Sequence, residues 1–256
     1  MRNDQPAKNL SEGEKTAISF AYFITRLEDK NTKPNLRETI VYIDDPVCSL
    51  DANHIYNVYS FIKAKLGSNR CKQLFISTHN IEFMNLIKDF ISEELGIKNN
   101  SEAKMREAPF YMIENNMTAA LTKASIIALP IQLKKFRSEY IYLFSIIYGF
   151  NQNPKADFNF LYILPNIIRR FLEAYLGFRS PIAMSWHKKL ELLIPDLQEA
   201  NLISKFVDTF SHNQGSERII NFPEINECKS VAKILIDNLN RMDNVHYLGL
   251  CSNCEP

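Results

Sequence analysis

Glycine is scarce in this sequence: there are seven in 256 residues, and none is followed by Lys-Ser or Lys-Thr. The phosphate-cradling pattern GxxxxGK(S/T) is therefore absent. Gly13-Glu14-Lys15-Thr16 comes nearest, but it lacks the upstream glycine and the direct Gly-Lys step. On these residues alone, little would hold the β- and γ-phosphates of a nucleotide. Long apolar runs are missing too. The stretch 140–150 falls short of the roughly 18–20 residues that cross a bilayer, so a buried helix is expected there and no membrane partner. Charge excess is lacking: 30 basic residues face 29 acidic ones, which argues against a bulk nucleic-acid binder and leaves room only for a local basic patch. The five cysteines stand at 48, 71, 228, 251 and 254. No secretory signal precedes them, so they read as free thiols of a cytoplasmic protein. Cys251 and Cys254 form one CxxC with His246 nearby, but a zinc site needs a second ligand pair and none follows. Internal repeats and low-complexity tracts are also absent.

What is present is a 46% apolar chain, long enough for one large domain or a domain with an appendage. A helical pattern covers residues 12–27. A short apolar, β-rich run at 39–43 ends in two acids and reads as a buried parallel strand. A helix at 52–66, a second buried strand at 73–77 and a helix from 80 to 90 follow. Strand–helix–strand–helix predicts an α/β sheet with right-handed crossovers. Residues 98–108 read as loop, and 109–113 with 119–123 as a hairpin turning through 114–118. Beyond that the pattern is helical, over 133–150, 158–178, 187–193, 197–210 and 227–242. The change of character near residue 125 sets the expected domains, 1–125 and 126–256.

Four short segments carry the chemistry, in a fixed order. Leu10-Ser11-Glu12-Gly13-Glu14 opens a helix, where unpaired N–H groups and the positive dipole end favour a phosphate. Ser11, Gly13 and Glu14 are its candidate nucleotide-binding residues, Gly13 because it lets the backbone approach closely. Asp44 and Asp45 end a strand, the place where α/β sheets bind ligands. Asp44 suits a water-bridged magnesium ion and Asp45 an attacking water. Ser49-Leu50-Asp51 precedes a helix that Asp51 would cap. Ser77-Thr78-His79-Asn80 ends the next strand, and His79 could meet a terminal phosphate. Taken singly, each is as well explained by a helix cap, a turn or a structural histidine; the ordered set is not.

That set resembles the ABC ATPase family, in which these segments are the signature motif, Walker B, the D-loop and the switch histidine. LSEGEKTAISFAYF, IDDPVCSLD and ISTHN resemble most the bacterial SMC/RecF-like ATPases, a subgroup that includes the ATPase parts of anticodon nucleases and phage-defence systems. The resemblance is strong over residues 8–90. It implies a partial, mainly parallel P-loop sheet followed by a mostly helical region, with ATP and Mg2+ as ligands. It also implies two heads, a homodimer or a partner ATPase head, that sandwich ATP with Asp51 at the seam. Asp45 departs from the family's usual Glu and shortens the reach of the base by a methylene. With no phosphate loop present, a fragment or split-gene product is expected.

In the helical region Arg169 and Glu173 lie four apart on one helix face, and Ser211-His212 ends a later helix. Glu or His as base and acid, with Arg on the developing charge, could cleave RNA. The set resembles the Arg-xxx-Glu…His of the anticodon nucleases and would make tRNA or another nucleic acid the partner. An ion pair within one helix, with His212 at a helix end, is the plain alternative. Trp186 and His187 could stack on a base, or Trp186 could belong to the core. A non-catalytic assembly module is the third functional class.

Overall fold

A computed structural model describes residues 9–29, 35–48, 52–67, 70–96, 108–118, 121–211 and 222–254. Its described residues form a mixed α/β chain, mostly helical, with one small parallel sheet. It divides into two compact units, residues 1–104 and 105–256. The division falls before the hairpin rather than near residue 125, so the hairpin belongs with the helices.

The first unit begins with α1 (Glu12–Glu28), capped at Ser11. A 3-10 turn leads into β1 (Ile40–Asp44), followed by α2 (Ala52–Leu66), β2 (Gln73–Ser77) and α3 (Ile81–Glu94). The two strands pair in parallel, Ile40 beside Gln73 through Asp44 beside Ser77. Period-2 alternation turns Val41 and Ile43 into the core, where they meet Ile24 of α1, Ile55, Val58 and Ile62 of α2, and Phe83 of α3. Ile40, Tyr42, Asp44 and Phe75 are left exposed. Both strands therefore stop at the same end of the sheet. Asn80, expected inside the third helix, instead caps it by accepting from the Phe83 N–H at 2.9 Å. Gly96, at φ +62°, closes that helix in the left-handed conformation glycine adopts freely.

The second unit opens with the hairpin β3 (Tyr111–Thr118) and β4 (Leu121–Ala128), antiparallel with Tyr111 opposite Ala128 and Thr118 opposite Leu121. The expected turn at 114–118 is strand. Asn115 and Asn116 have the composition of a turn, but they pair with Ala124 and Lys123, and the pairing runs on to Thr118 opposite Leu121. The helix expected over 133–150 is two helices, α4 (Ile131–Lys135) and α5 (Glu139–Gln152). Ser138 breaks it by capping α5, accepting from the Ile141 N–H. Lys134 of α4 is buried and donates to the Ala108 carbonyl at 3.0 Å. Burial lowers its pKa.

The long helix α6 (Phe158–Arg179) carries Pro165 in its interior and packs with α5, α7 (Trp186–Leu193), α8 (Leu197–Ser211), α9 (Ile225–Met242) and α10 (Asn244–Cys251). Their shared core includes Phe144, Ile147, Leu164, Ile168, Phe171, Leu172, Leu190 and Phe206, all but sealed from solvent. Phe171 stacks on Tyr140 at 5.0 Å and lies 6.2 Å from Tyr175. The last helix, α10, joins this core through Leu250, with Tyr247 packed against it. None of the five cysteines forms a disulfide, and His246 Nε2 lies 2.6 Å from the Tyr140 hydroxyl. Among the described residues no helix is long and apolar enough to cross a membrane.

Candidate functional site

At the open end of the parallel pair, Asp44 and Asp45 follow one strand and Thr78 and His79 the other. The Asp45 N–H donates to the Ser77 carbonyl at 2.8 Å, which locks the two strand ends together. Asp45 then takes φ +42°, a left-handed conformation that costs most residues but that Asp tolerates better than longer or branched side chains. This is a physical reason for Asp rather than Glu at position 45.

The Asp45 carboxylate is held at both oxygens. Thr78 donates its hydroxyl to Oδ1 at 3.0 Å, and Oδ2 lies 2.5 Å from His79 Nδ1. Thr78 in turn accepts from the Asn80 N–H at 3.1 Å, so its hydroxyl is fixed by the start of α3. Asp45 is 21% exposed and His79 77%, so the imidazole stands over the carboxylate with Nε2 left for an outside group. In the neutral ring that atom accepts; in the protonated ring it donates, as a phosphate oxygen requires.

Asp44 is organised differently. Oδ1 accepts from the Ser77 hydroxyl and from the Tyr42 hydroxyl at 3.3 Å, and Tyr42 and Ser77 lie 3.1 Å apart. Among the described residues no hydrogen bond reaches Oδ2, the oxygen that a cation or its water could take. Carboxylate and hydroxyl oxygens are hard donors that suit Mg2+. Among the described residues no group of three or more His, Cys, Asp or Glu could hold a metal ion. A magnesium ion here would thus take most of its ligands from water and phosphate, which is its habit. Tyr42 and Ser77 were not singled out in sequence. Tyr42 was legible in principle, being two residues before Asp44 and on the same strand face.

Ser11 and Glu14 form a capping box. Glu14 Oε2 accepts from the Ser11 N–H at 2.9 Å, and Ser11 Oγ accepts from the Glu14 N–H at 3.2 Å. Local structure alone explains this pair, and Gly13 lies within the first turn between them. No hydrogen bond or ion pair among the described residues joins Ser11 to the Asp44–Asp45–His79 cluster. Ser49, Leu50 and Asp51 lie outside the described residues, as does His212.

In the helical unit, Arg169 Nε donates to Glu173 Oε1 at 2.7 Å, one turn apart on α6. Its Nη1 is 3.8 Å from Asp208 Oδ1 on α8, and Asp208 Oδ2 is 2.7 Å from His187 Nε2 on α7. The guanidinium carbon sits 5.9 Å over the Trp186 ring, which is partly buried against the core. The sequence pointed to Arg169, Glu173 and His187 but not to Asp208, whose approach depends on how α8 packs and has no local signal. Exposed pairs of this kind contribute about 0.2–1 kcal/mol each.

Comparison with known proteins bears on the whole of this. The model of the AAA domain family matches residues 1–237. The chain belongs to that family. Two Staphylococcus aureus relatives, one from strain MRSA252, bear the same name, uncharacterized chromosomal cassette SCCmec type IVc protein CR006. Each is 28% identical over 180 residues, 67% of this chain and 22% of the relative. The chain thus spans under a quarter of the length of these family relatives. No solved structure matches.

Proposed function

We propose that the first unit is the signature, Walker B and switch-histidine part of an ABC-type, SMC/RecF-like P-loop ATPase that binds and hydrolyses ATP with Mg2+. The observation that carries this reading is the Asp45 carboxylate, clamped between Thr78 and His79 at the shared end of two parallel strands, beside an Asp44 whose Oδ1 accepts from Ser77 and Tyr42. Asp44 would hold a magnesium ion, which would supply positive charge to offset that of the phosphates. Asp45 orients the attacking water and takes its proton, and His79 reaches the γ-phosphate through Nε2. The phosphate loop comes from outside these 256 residues, a view supported by relatives several times longer. Ser11 and the Gly13 amides face the nucleotide of a second head, a homodimer mate or a partner ATPase; there a phosphate takes the place of the Glu14 carboxylate at the helix start. A role in prokaryotic defence or nucleic-acid processing rests on the resemblance of the motifs alone. In the full-length protein, Asp44→Asn and His79→Ala should each abolish ATP turnover, and the 256-residue chain alone should show none. Turnover unchanged in both variants would reject the site.

A second reading concerns the helical unit, where the Arg169–Glu173 pair on one face of α6 favours a ribonuclease, of tRNA anticodons by resemblance, gated by the ATPase. Arg169→Ala would remove RNA cleavage while ATP turnover persists. Loss of both together would contradict a separate nuclease site.

A further inference from the structure

Where α8 meets the start of α9, the helical unit holds a cavity of about 430 Å³, within the size range of small-molecule sites. One face of α8 lines it: Leu202, Phe206 and Phe210 recur at i, i+4 and i+8, with Lys205 and Thr209 beside them. Phe222, Glu224 and Glu227 come from the segment that enters α9. The apolar wall continues outward. Phe222 packs edge-on against Phe158 of α6 at 5.1 Å and lies 6.5 Å from Tyr162, and all three rings are exposed. Charge is divided between the walls, a cation on α8 and two carboxylates at α9, and no ion pair among the described residues neutralises any of the three. Glu224 stands at the N-cap of α9, where its side chain makes no capping hydrogen bond. Burial, with the Glu224 carboxylate adding to it, raises the Glu227 pKa even though the Glu224 N–H donates to that group. A cation bound beside the two acids would offset both effects.

We propose that this cavity binds a free amino acid with an aromatic or large aliphatic side chain, its ammonium at Glu224 and Glu227, its carboxylate at Lys205 and its side chain against Phe210 and Phe222. The lining selects this ligand by charge and by apolar surface together. A simple amine would leave Lys205 without a partner, and a simple carboxylate would leave the two acids without one. A residue inside a peptide carries neither backbone charge, and a chain end carries only one. The free molecule carries both, so each end makes charge-assisted hydrogen bonds, with the Thr209 hydroxyl as a further polar group near Lys205. Aromatic faces also attract cations, so the Phe222 ring suits the ammonium as well as an apolar side chain. The site takes no residue from the Asp44–Asp45–His79 cluster or from the Arg169 cluster, and it stands whether or not the ATPase and nuclease readings hold.

Isothermal titration calorimetry of the full-length protein tests this with three probes: L-phenylalanine, L-phenylalaninamide, which lacks the carboxylate, and N-acetyl-L-phenylalanine, which lacks the ammonium. L-Phenylalanine should bind about tenfold or more tightly than either analogue, the factor lost with one hydrogen-bonded charge. Glycine, with both charges but nothing for the apolar wall, should also bind more weakly than L-phenylalanine. Lys205→Met should weaken L-phenylalanine by about tenfold and leave the amide unchanged. Glu224→Gln combined with Glu227→Gln should weaken L-phenylalanine by at least about tenfold and leave the N-acetyl form unchanged. Glutamine at 227 keeps an oxygen that can accept from the backbone N–H of residue 224. Far-UV circular dichroism checks that each variant is folded; should the double variant fail to fold, Glu224→Gln alone takes its place. Amide binding as tight as that of L-phenylalanine would overturn the proposal in favour of a site for a cation or a peptide N-terminus. N-acetyl binding as tight would overturn it in favour of an anion site. No binding of L-phenylalanine at millimolar concentration, or unchanged affinity in Lys205→Met, would overturn it outright.

Discussion

The left-handed Asp45 makes a prediction whose sign is opposite to the usual one. At an ordinary position Ala is more stable than Gly by about 0.5–1 kcal/mol, because glycine loses more backbone freedom on folding. At φ +42° a Cβ meets the following carbonyl, at a cost of about 1–2 kcal/mol. Asp45→Gly and Asp45→Ala both remove the contacts to Thr78 and His79, so the difference between them isolates the backbone. The relief of strain exceeds the entropy term, and Asp45→Gly should be more stable than Asp45→Ala by about 0.5–1 kcal/mol. Hydrogen exchange of the β1 and β2 amides under native conditions reads this, since it follows the first unit by itself. Both variants should also be inactive, so a gain in stability would come without a gain in function, as expected where strain sits at a working residue. Equal protection in the two variants, or better protection with Ala, would refute the backbone argument.

Gly67→Ala should destabilise the first unit by about 1–3 kcal/mol in the same exchange experiment, because its Cβ would lie 2.5 Å from the Lys63 carbonyl oxygen and 3.1 Å from the Phe90 ring. Gly149→Ala, in α5 with nothing within 4 Å of the added atom, should instead raise stability by about 0.5–1 kcal/mol. Phe171→Ala should cost about 3–5 kcal/mol in urea unfolding followed by the emission of Trp186, the only tryptophan, which packs on the same core; a loss below about 1 kcal/mol would contradict the packing. Burial, with the Glu227 carboxylate beside it, pushes the Cys228 thiol up to about 11 from 9.0. The folded state holds that proton more tightly, so stability is full below pH 9 and falls by about 1–3 kcal/mol as the pH rises from 9 to 11. Cys228→Ala should flatten that part of the curve, and an unchanged slope would count against it.

Local chemistry was legible in the sequence wherever one residue and its near neighbours decide the outcome. The cap at Ser11 with Glu14 three residues on, the strand that ends on two acids, and the helix across Pro165 all follow from spacing and side-chain type. Where two features compete, composition alone does not decide the outcome. Asn115-Asn116 has turn composition, but hairpin pairing along β3 and β4 overrides it. Ser138 sits inside an apolar helical pattern, yet its hydroxyl caps a new helix. At the candidate site, the ends of β1 and β2 were foreseeable, whereas the left-handed turn at Asp45, the Tyr42 and Ser77 hydroxyls on Asp44, and the arrival of Asp208 beside His187 depend on register and on packing between distant segments.

The most direct measurement is steady-state ATP hydrolysis by the full-length protein carrying Asp45→Asn, paired with the dissociation constant of ATP for the same variant. Asparagine keeps the size, the tolerance for a left-handed backbone and the Thr78 hydrogen bond, and removes only the charge and basicity facing His79 and the water. Turnover slower by about 10²–10⁴-fold with ATP affinity retained is the predicted result. Turnover at the wild-type rate would contradict the assignment of this strand end as the hydrolytic site.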